Sequence, residues 1–144
     1  LCKNFPVKLN VMTILLNTSF ADVLFEEELN IIKIIWKAKC SSEEYRHTFE
    51  IVHNAIKKHK IENFLSDIRK QAVISPEDRK WFQEQCIPKA MKAGLKCGAV
   101  VFDGGIFKLY YLNHISNVSK KLNLPFKFFT SIEEAENWLK NQKK

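Results

Sequence analysis

Two carboxylates, Asp67 and Asp103, each stand where a short apolar run ends. Acids at neighbouring strand ends can share a hard cation such as magnesium, which takes oxygen ligands. No third carboxylate stands at a matching place, and Asp at a strand end is also a common turn former. Neither a metal nor any other cofactor is therefore expected. Asp103 is followed by Gly104 and Gly105, ahead of a helical pattern. Helix N-termini bind anions through their free N–H groups. The pair is neither G-x-G-x-x-G nor a P-loop with its Lys-Ser/Thr, and a turn needing positive φ explains it. The third feature is Ser75-Pro76-Glu77-Asp78. It offers a serine at a helix start. It also reads as helix punctuation: Ser75 as cap, Pro76 in the first turn, Glu77 and Asp78 at the positive end of the dipole.

Nucleophilic chemistry has less to build on. There is no G-x-S-x-G elbow. Cys2, Cys40, Cys86 and Cys97 include no C-x-x-C pair. His47, His53 and His59 lie six apart, which scatters them around a helix axis. With His114 they read as surface or boundary residues, and no Cys–His pairing is apparent. Cys86 and Cys97 sit in apolar stretches and read as small buried hydrophobes. Such cysteine usage fits a reducing cytosol. No catalytic residue is assigned, and an enzyme is not expected.

The chain has 144 residues and a net charge of +7, the size of one domain. The surplus is lysine, since Arg46, Arg69 and Arg79 are its arginines. Readers of nucleic acid favour arginine for bidentate contacts. The lysines gather in helix last turns, where the dipole favours them. A solvated basic surface is expected, and nucleic acid is disfavoured as a partner despite the charge. No run approaches the roughly 20 apolar residues of a membrane span. Residues 1–11 read as an N-terminal extension, with Met12 as an alternative start, 12–141 as one domain and 142–144 as a tail.

The elements that must position these residues follow from periodicity. Met12–Asn17 and Ala21–Glu26 read as strands, and Glu27–Asn30 as a hairpin turn. Ile31–Lys39 alternates, with Ile32, Ile34 and Trp36 on one face and Lys33, Lys37 and Lys39 on the other. That predicts a strand with one wet face. Ser41-Ser42-Glu43-Glu44 is a capping box for a helix carrying Tyr45, Phe49, Val52 and Ile56 on one stripe. Asn63–Ile68 is a strand. Ser75 opens a helix that Pro88 should kink or divide. Cys97–Phe102 is a strand covered on both faces, Ile106–Leu122 a helix, Pro125–Phe129 a strand. Ser131-x-x-Glu134 starts a last helix. Three strands followed by alternating helices and strands predict an α/β fold. Its sheet is mixed, with about five to six strands, four helices and an antiparallel N-terminal part.

The stretch IIWKAKCSSEEYR, with FLSDIRKQAVISPEDRKWF, AGLKCGAVVF and LPFKFFTSIEEAENWLK, resembles the SpoIIAA-like family of small bacterial proteins. These belong to the wider group similar to sulfate-transporter and anti-sigma-factor-antagonist (STAS) domains. The resemblance runs from about Thr13 to Leu139. It implies a mixed sheet with helices largely on one side, and no enzyme activity. Better-known relatives bind proteins: antagonists bind a kinase-like anti-sigma factor and release it when a serine at a helix start is phosphorylated. Others are linked to nucleotides or lipids. Their pattern is strand, Asp-Leu-Ser, a loop, then Ile-Asp-Ser-Ser-Gly. Laid on this chain, Asp67-Ile68-Arg69 matches the first part and Ile74 the isoleucine. Ser75 falls on the aspartate, Pro76 and Glu77 on the two serines, Asp78 on the glycine. The phosphoacceptor is thus missing.

The expected function is protein recognition of the anti-sigma-antagonist type, without the switch, in a cytoplasmic domain. The surface would be loop Ile68–Ile74 with the next helix start: Asp67, Arg69, Lys70, Ser75, Glu77, Asp78 and Arg79, with Asp103, Gly104 and Gly105 beside them. The alternative is a domain binding a lipid-like or anionic small molecule beneath the same strand ends. An exposed edge or helix face would also allow a homodimer.

Overall fold

The first three apolar runs pair as a meander. In a computed structural model, which describes residues 11–142, strands β1 (Met12–Asn17), β2 (Ala21–Glu26) and β3 (Ile31–Trp36) are antiparallel neighbours. The expected extension at 1–11 and tail at 142–144 lie outside the described residues, except Val11 and Gln142. The β2–β3 turn passes through Asn30 at φ 52°, a conformation that Asn tolerates.

After β3 the chain alternates. Helix α1 (Ser42–His59) starts on a complete capping box, with Ser41 and Glu44 each satisfying the other's backbone N–H. Strand β4 (Asn63–Asp67) follows, then α2 (Pro76–Trp81) and α3 (Ile87–Ala93), joined without a break by a π turn at Phe82–Cys86. Then come β5 (Cys97–Val101), α4 (Ile106–Lys121), β6 (Phe126–Phe129) and α5 (Ile132–Lys140). Pro88 was expected to kink or divide the second helix. Instead, the turn before it widens. The Ile87 N–H reaches back to Phe82, and the helix runs on through the site where a proline ring would strike the usual i−4 carbonyl.

The six strands lie in the order β1 to β6 without reversal, with β3 through β6 parallel. This is the α/β fold with a six-stranded mixed sheet and four helical bodies. Right-handed crossovers that always step the same way lay their helices on one face. Accordingly α1, α3 and α4 cover one side, over Ile32, Ile34, Trp36, Phe64 and Val100. Helix α5 turns back under the other side, against Ile31, Leu65, Ala99 and Val101.

That last helix corrects one expectation. The lysine face of β3 is not wet. Lys33 is 5% exposed, and its ammonium donates to Glu26 on β2 at 2.8 Å and to Glu136 on α5. The strand also ends at Trp36, short of Lys39. Alternation within β3 carries no trace of a helix that arrives a hundred residues later.

Candidate functional site

The sequence-predicted residues gather where the parallel strands end, but they divide into braces and surface. Asp67 is buried at the end of β4. Its carboxylate accepts from the Arg69 backbone N–H at 3.1 Å, from Nε at 3.0 Å and from the second guanidinium nitrogen at 2.8 Å. Those bonds hold Arg69 firmly protonated. A bidentate pair of this kind fixes geometry as well as charge, so the loop after β4 leaves the sheet in one direction.

Asp103 closes an Asx turn onto the Gly105 N–H at 2.9 Å, which holds its carboxyl below the usual range. Gly104 takes φ +86° there, a turn that a side chain would strain. The carboxylate thus stands where an anion would sit at the start of α4. Asp67 and Asp103 are each committed within their own loop. Among the described residues no cluster of three or more His, Cys, Asp or Glu could hold a metal ion.

Ser75 acts as a cap, its hydroxyl accepting from the Asp78 N–H at 3.2 Å. Asp78 was expected on the contact surface and instead points inward. It accepts from Ser42 Oγ at 2.7 Å and from Arg46 Nε at 3.1 Å, tying α2 to the start of α1. The Arg46 guanidinium also lies over the Trp81 ring, 5.2 Å from its centroid. Burial alone would push the Asp78 carboxyl up. The hydrogen bonds from Ser42, Arg46 and Ser75, with the Arg46 charge, outweigh it and hold the pKa low. A depressed carboxylate contributes stability present above its unfolded pKa, about 4, and lost as pH falls through the lower folded value. Thermal melts from pH 6 to pH 2 should therefore show the wild-type advantage over Asp78→Asn shrinking below about pH 4. A constant gap down to pH 2 would contradict this.

Lys70, Glu77, Arg79 and Gly105 remain at the surface or its margin. Val73, within the expected loop, is 96% exposed. Three residues that sequence reading missed are also exposed: Ile106 at 75%, Phe107 at 88% and Tyr110 at 68%. Ile106, Phe107 and Tyr110 share one outward stripe of α4. Their apolar character inside a helical pattern reads as core, which hid them. Lys108, also missed, anchors this end. Its ammonium donates to the Ile68 and Arg69 carbonyls at 2.7 and 3.1 Å, and lies 3.6 Å from Asp103.

Behind this surface, between the sheet and helices α1, α3 and α4, lies a void of about 60 Å³. Phe49, Phe64, Leu112, Ile115 and Phe126 are among its walls, and Gln71 and Tyr111 keep partial exposure at its loop end. Its floor is open at Gly98, where a Cβ would meet the Phe126 ring at 3.7 Å, an ordinary contact. Gly98→Ala should thus raise stability by about 0.5–1 kcal/mol, by stiffening the unfolded chain and filling space. Urea melts would check it, and a loss of stability would mean that the floor is closed.

The wall also holds a Cys–His contact that sequence reading did not find. His53 is buried, not a surface residue. Its Nε2 donates to the Cys86 carbonyl at 3.1 Å and lies 3.5 Å from Cys86 Sγ. Burial lowers the His53 pKa and raises that of Cys86. Both stay neutral near pH 7, unlike the thiolate–imidazolium pair that nucleophilic chemistry uses.

Comparison of the chain with protein-family models, with curated proteins and with solved structures found no match. No helix among the described residues is long and apolar enough to cross a membrane.

Proposed function

We propose that the chain is a non-catalytic cytoplasmic recognition domain that binds a protein partner through the surface beyond β4 and β5. The observation that carries this reading is the exposure of Ile106, Phe107 and Tyr110 on α4, whose Lys108 bonds the Ile68 and Arg69 carbonyls, together with exposed Val73, Lys70 and Glu77 in and after the same loop. Exposed apolar groups rimmed by polar ones mark interaction surfaces, and aromatic side chains are frequent anchors. The ground beneath is braced by the Asp67–Arg69 pair and by Lys108, and a preorganised surface loses less entropy on binding. Resemblance to the SpoIIAA-like family supports partner binding of the anti-sigma-antagonist type. With Glu77 where the phosphoserine would stand, recognition is fixed and not switched.

Affinity capture from a native extract tests the surface. Phe107→Asp with Tyr110→Ser should lose the partner that the wild-type chain retains, at an unchanged thermal midpoint. Retention by the double variant would remove this surface from consideration. Capture of a second copy would make the partner the chain itself. Arg69→Ala is a poor substitute, because it leaves Asp67 buried without its cation.

A second reading, small-molecule binding, is favoured by the void beneath α4. The absence of Asp, Glu, Lys or Arg from its lining argues for a lipid-like occupant over an anionic one.

A further inference from the structure

The void has a chemistry of its own. Its titratable wall groups are neutral: burial lowers His53 and raises Cys86 and Tyr111. Ser119 on α4, 2% exposed, lines it with a hydroxyl that has no hydrogen-bond partner. Retaining a buried hydroxyl with nothing to bond is unfavourable. Alanine would fit the helix better. An ordered water would need two to four polar partners. Ser66 Oγ already accepts from the Trp36 indole at 3.2 Å, His53 Nε2 is committed to Cys86, the Tyr45 and Tyr111 hydroxyls bond each other, and Gln71 stands at the partly exposed mouth. The site therefore suits a molecule that asks for one hydrogen bond and is otherwise apolar.

The geometry points to a binding site for a small uncharged molecule, an aliphatic or ring body carrying one oxygen, with that oxygen at Ser119 and the body over Gly98. It rests on the second reading, ligand binding, and is independent of the partner surface. At about 60 Å³ the void is well under half of a ~150 Å³ cavity that holds benzene, so the occupant has only a few heavy atoms unless α4 lifts. Entry lies between Gln71 and Tyr111, the partly exposed wall residues where the loop after β4 meets α4.

The test uses the full chain with two probes that share a three-carbon body, 1-propanol and propionate, followed by methyl NMR of Leu112, Ile115 and Leu124. Propanol should give saturable shifts and propionate none. Ser119→Ala should weaken propanol binding about 3- to 10-fold, the loss of one hydrogen bond. Gly98→Ala should weaken it at least as much by occupying the floor. Both variants should melt higher than wild type, so misfolding would not account for the loss. Propionate binding as tightly as propanol would overturn the uncharged class while leaving ligand binding standing. Shifts with neither probe would overturn ligand binding itself. Propanol binding unchanged in both variants would overturn the site.

Discussion

Replacing Lys33 with Ala should destabilise the fold by about 3–5 kcal/mol, the typical cost of removing one partner from a buried ion pair. At this chain length that lowers Tm by roughly 10–15 °C. Lys33 sits between the Glu26 and Glu136 carboxylates, with side-chain exposures of 6%, 10% and 27%. Burial alone would lower its pKa, but the hydrogen bonds and charges of the two glutamates raise it. The ammonium is therefore fully charged at neutral pH. Its contribution is complete below the unfolded pKa near 10.4 and is lost as pH rises through the higher folded value. Without it, two carboxylates face each other beneath α5. Replacing all three residues by apolar side chains of similar volume should recover most of the loss. Urea melts of the single and triple variants decide between a required partner and a dispensable one. A Lys33→Ala loss under 1 kcal/mol would mean that α5 does not seal this face.

Phe49→Ala should cost a similar amount, about 3–5 kcal/mol, through lost burial and the cavity left behind. Phe49 is the hub of the aromatic core. Its ring centroid lies 5.1 Å from Tyr45, 5.2 Å from Phe82, 5.9 Å from Trp36 and 6.0 Å from Trp81. These residues come from β3, α1, α2 and the π turn that follows it, so one truncation loosens four segments. Phe49 also lines the 60 Å³ void, and its removal should enlarge that space. The variant should thus melt lower yet gain stability from added benzene, as ligand linkage requires. Dye-monitored melts with and without benzene would check both. A drop below 1 kcal/mol would mean that neighbours collapse into the gap.

Local signals in the sequence were decisive for the fold. Ser41 and Glu44 mark the start of α1, Ser75 and Pro76 that of α2, and apolar alternation marks β3. Each depends on residues within four positions of one another. The failures share a different cause. Lys33 meets Glu136 across 103 positions, and His53 meets Cys86 across 33. Nothing within either neighbourhood encodes the other. The candidate site divides the same way. Asp67, Ser75 and Asp103 were found as turn and cap formers, and that is what their carboxylates and hydroxyl do. Asp78 was misplaced to the surface because its partners, Ser42 and Arg46, lie on another helix. Phe107 and Tyr110 were hidden because an apolar residue in a helix looks alike whether it faces a core or a partner.

The strand order adds a constraint. Open α/β sheets bind ligands in the crevice where the order reverses. Here the order runs from β1 to β6 with no reversal, so no such crevice forms at the strand ends. What stands there is a braced loop, a short anchored helix start and exposed aromatic side chains.

The most direct measurement is site-specific photocrosslinking in native extract, with the crosslinker placed in turn at positions 73, 107 and 57. Positions 73 and 107 belong to the proposed surface, and Lys57 lies at the opposite end of α1, exposed to solvent. Recognition through the surface beyond β4 and β5 predicts one shared adduct from 73 and 107 and none from 57. An adduct at 57 with none at 73 or 107 would contradict it.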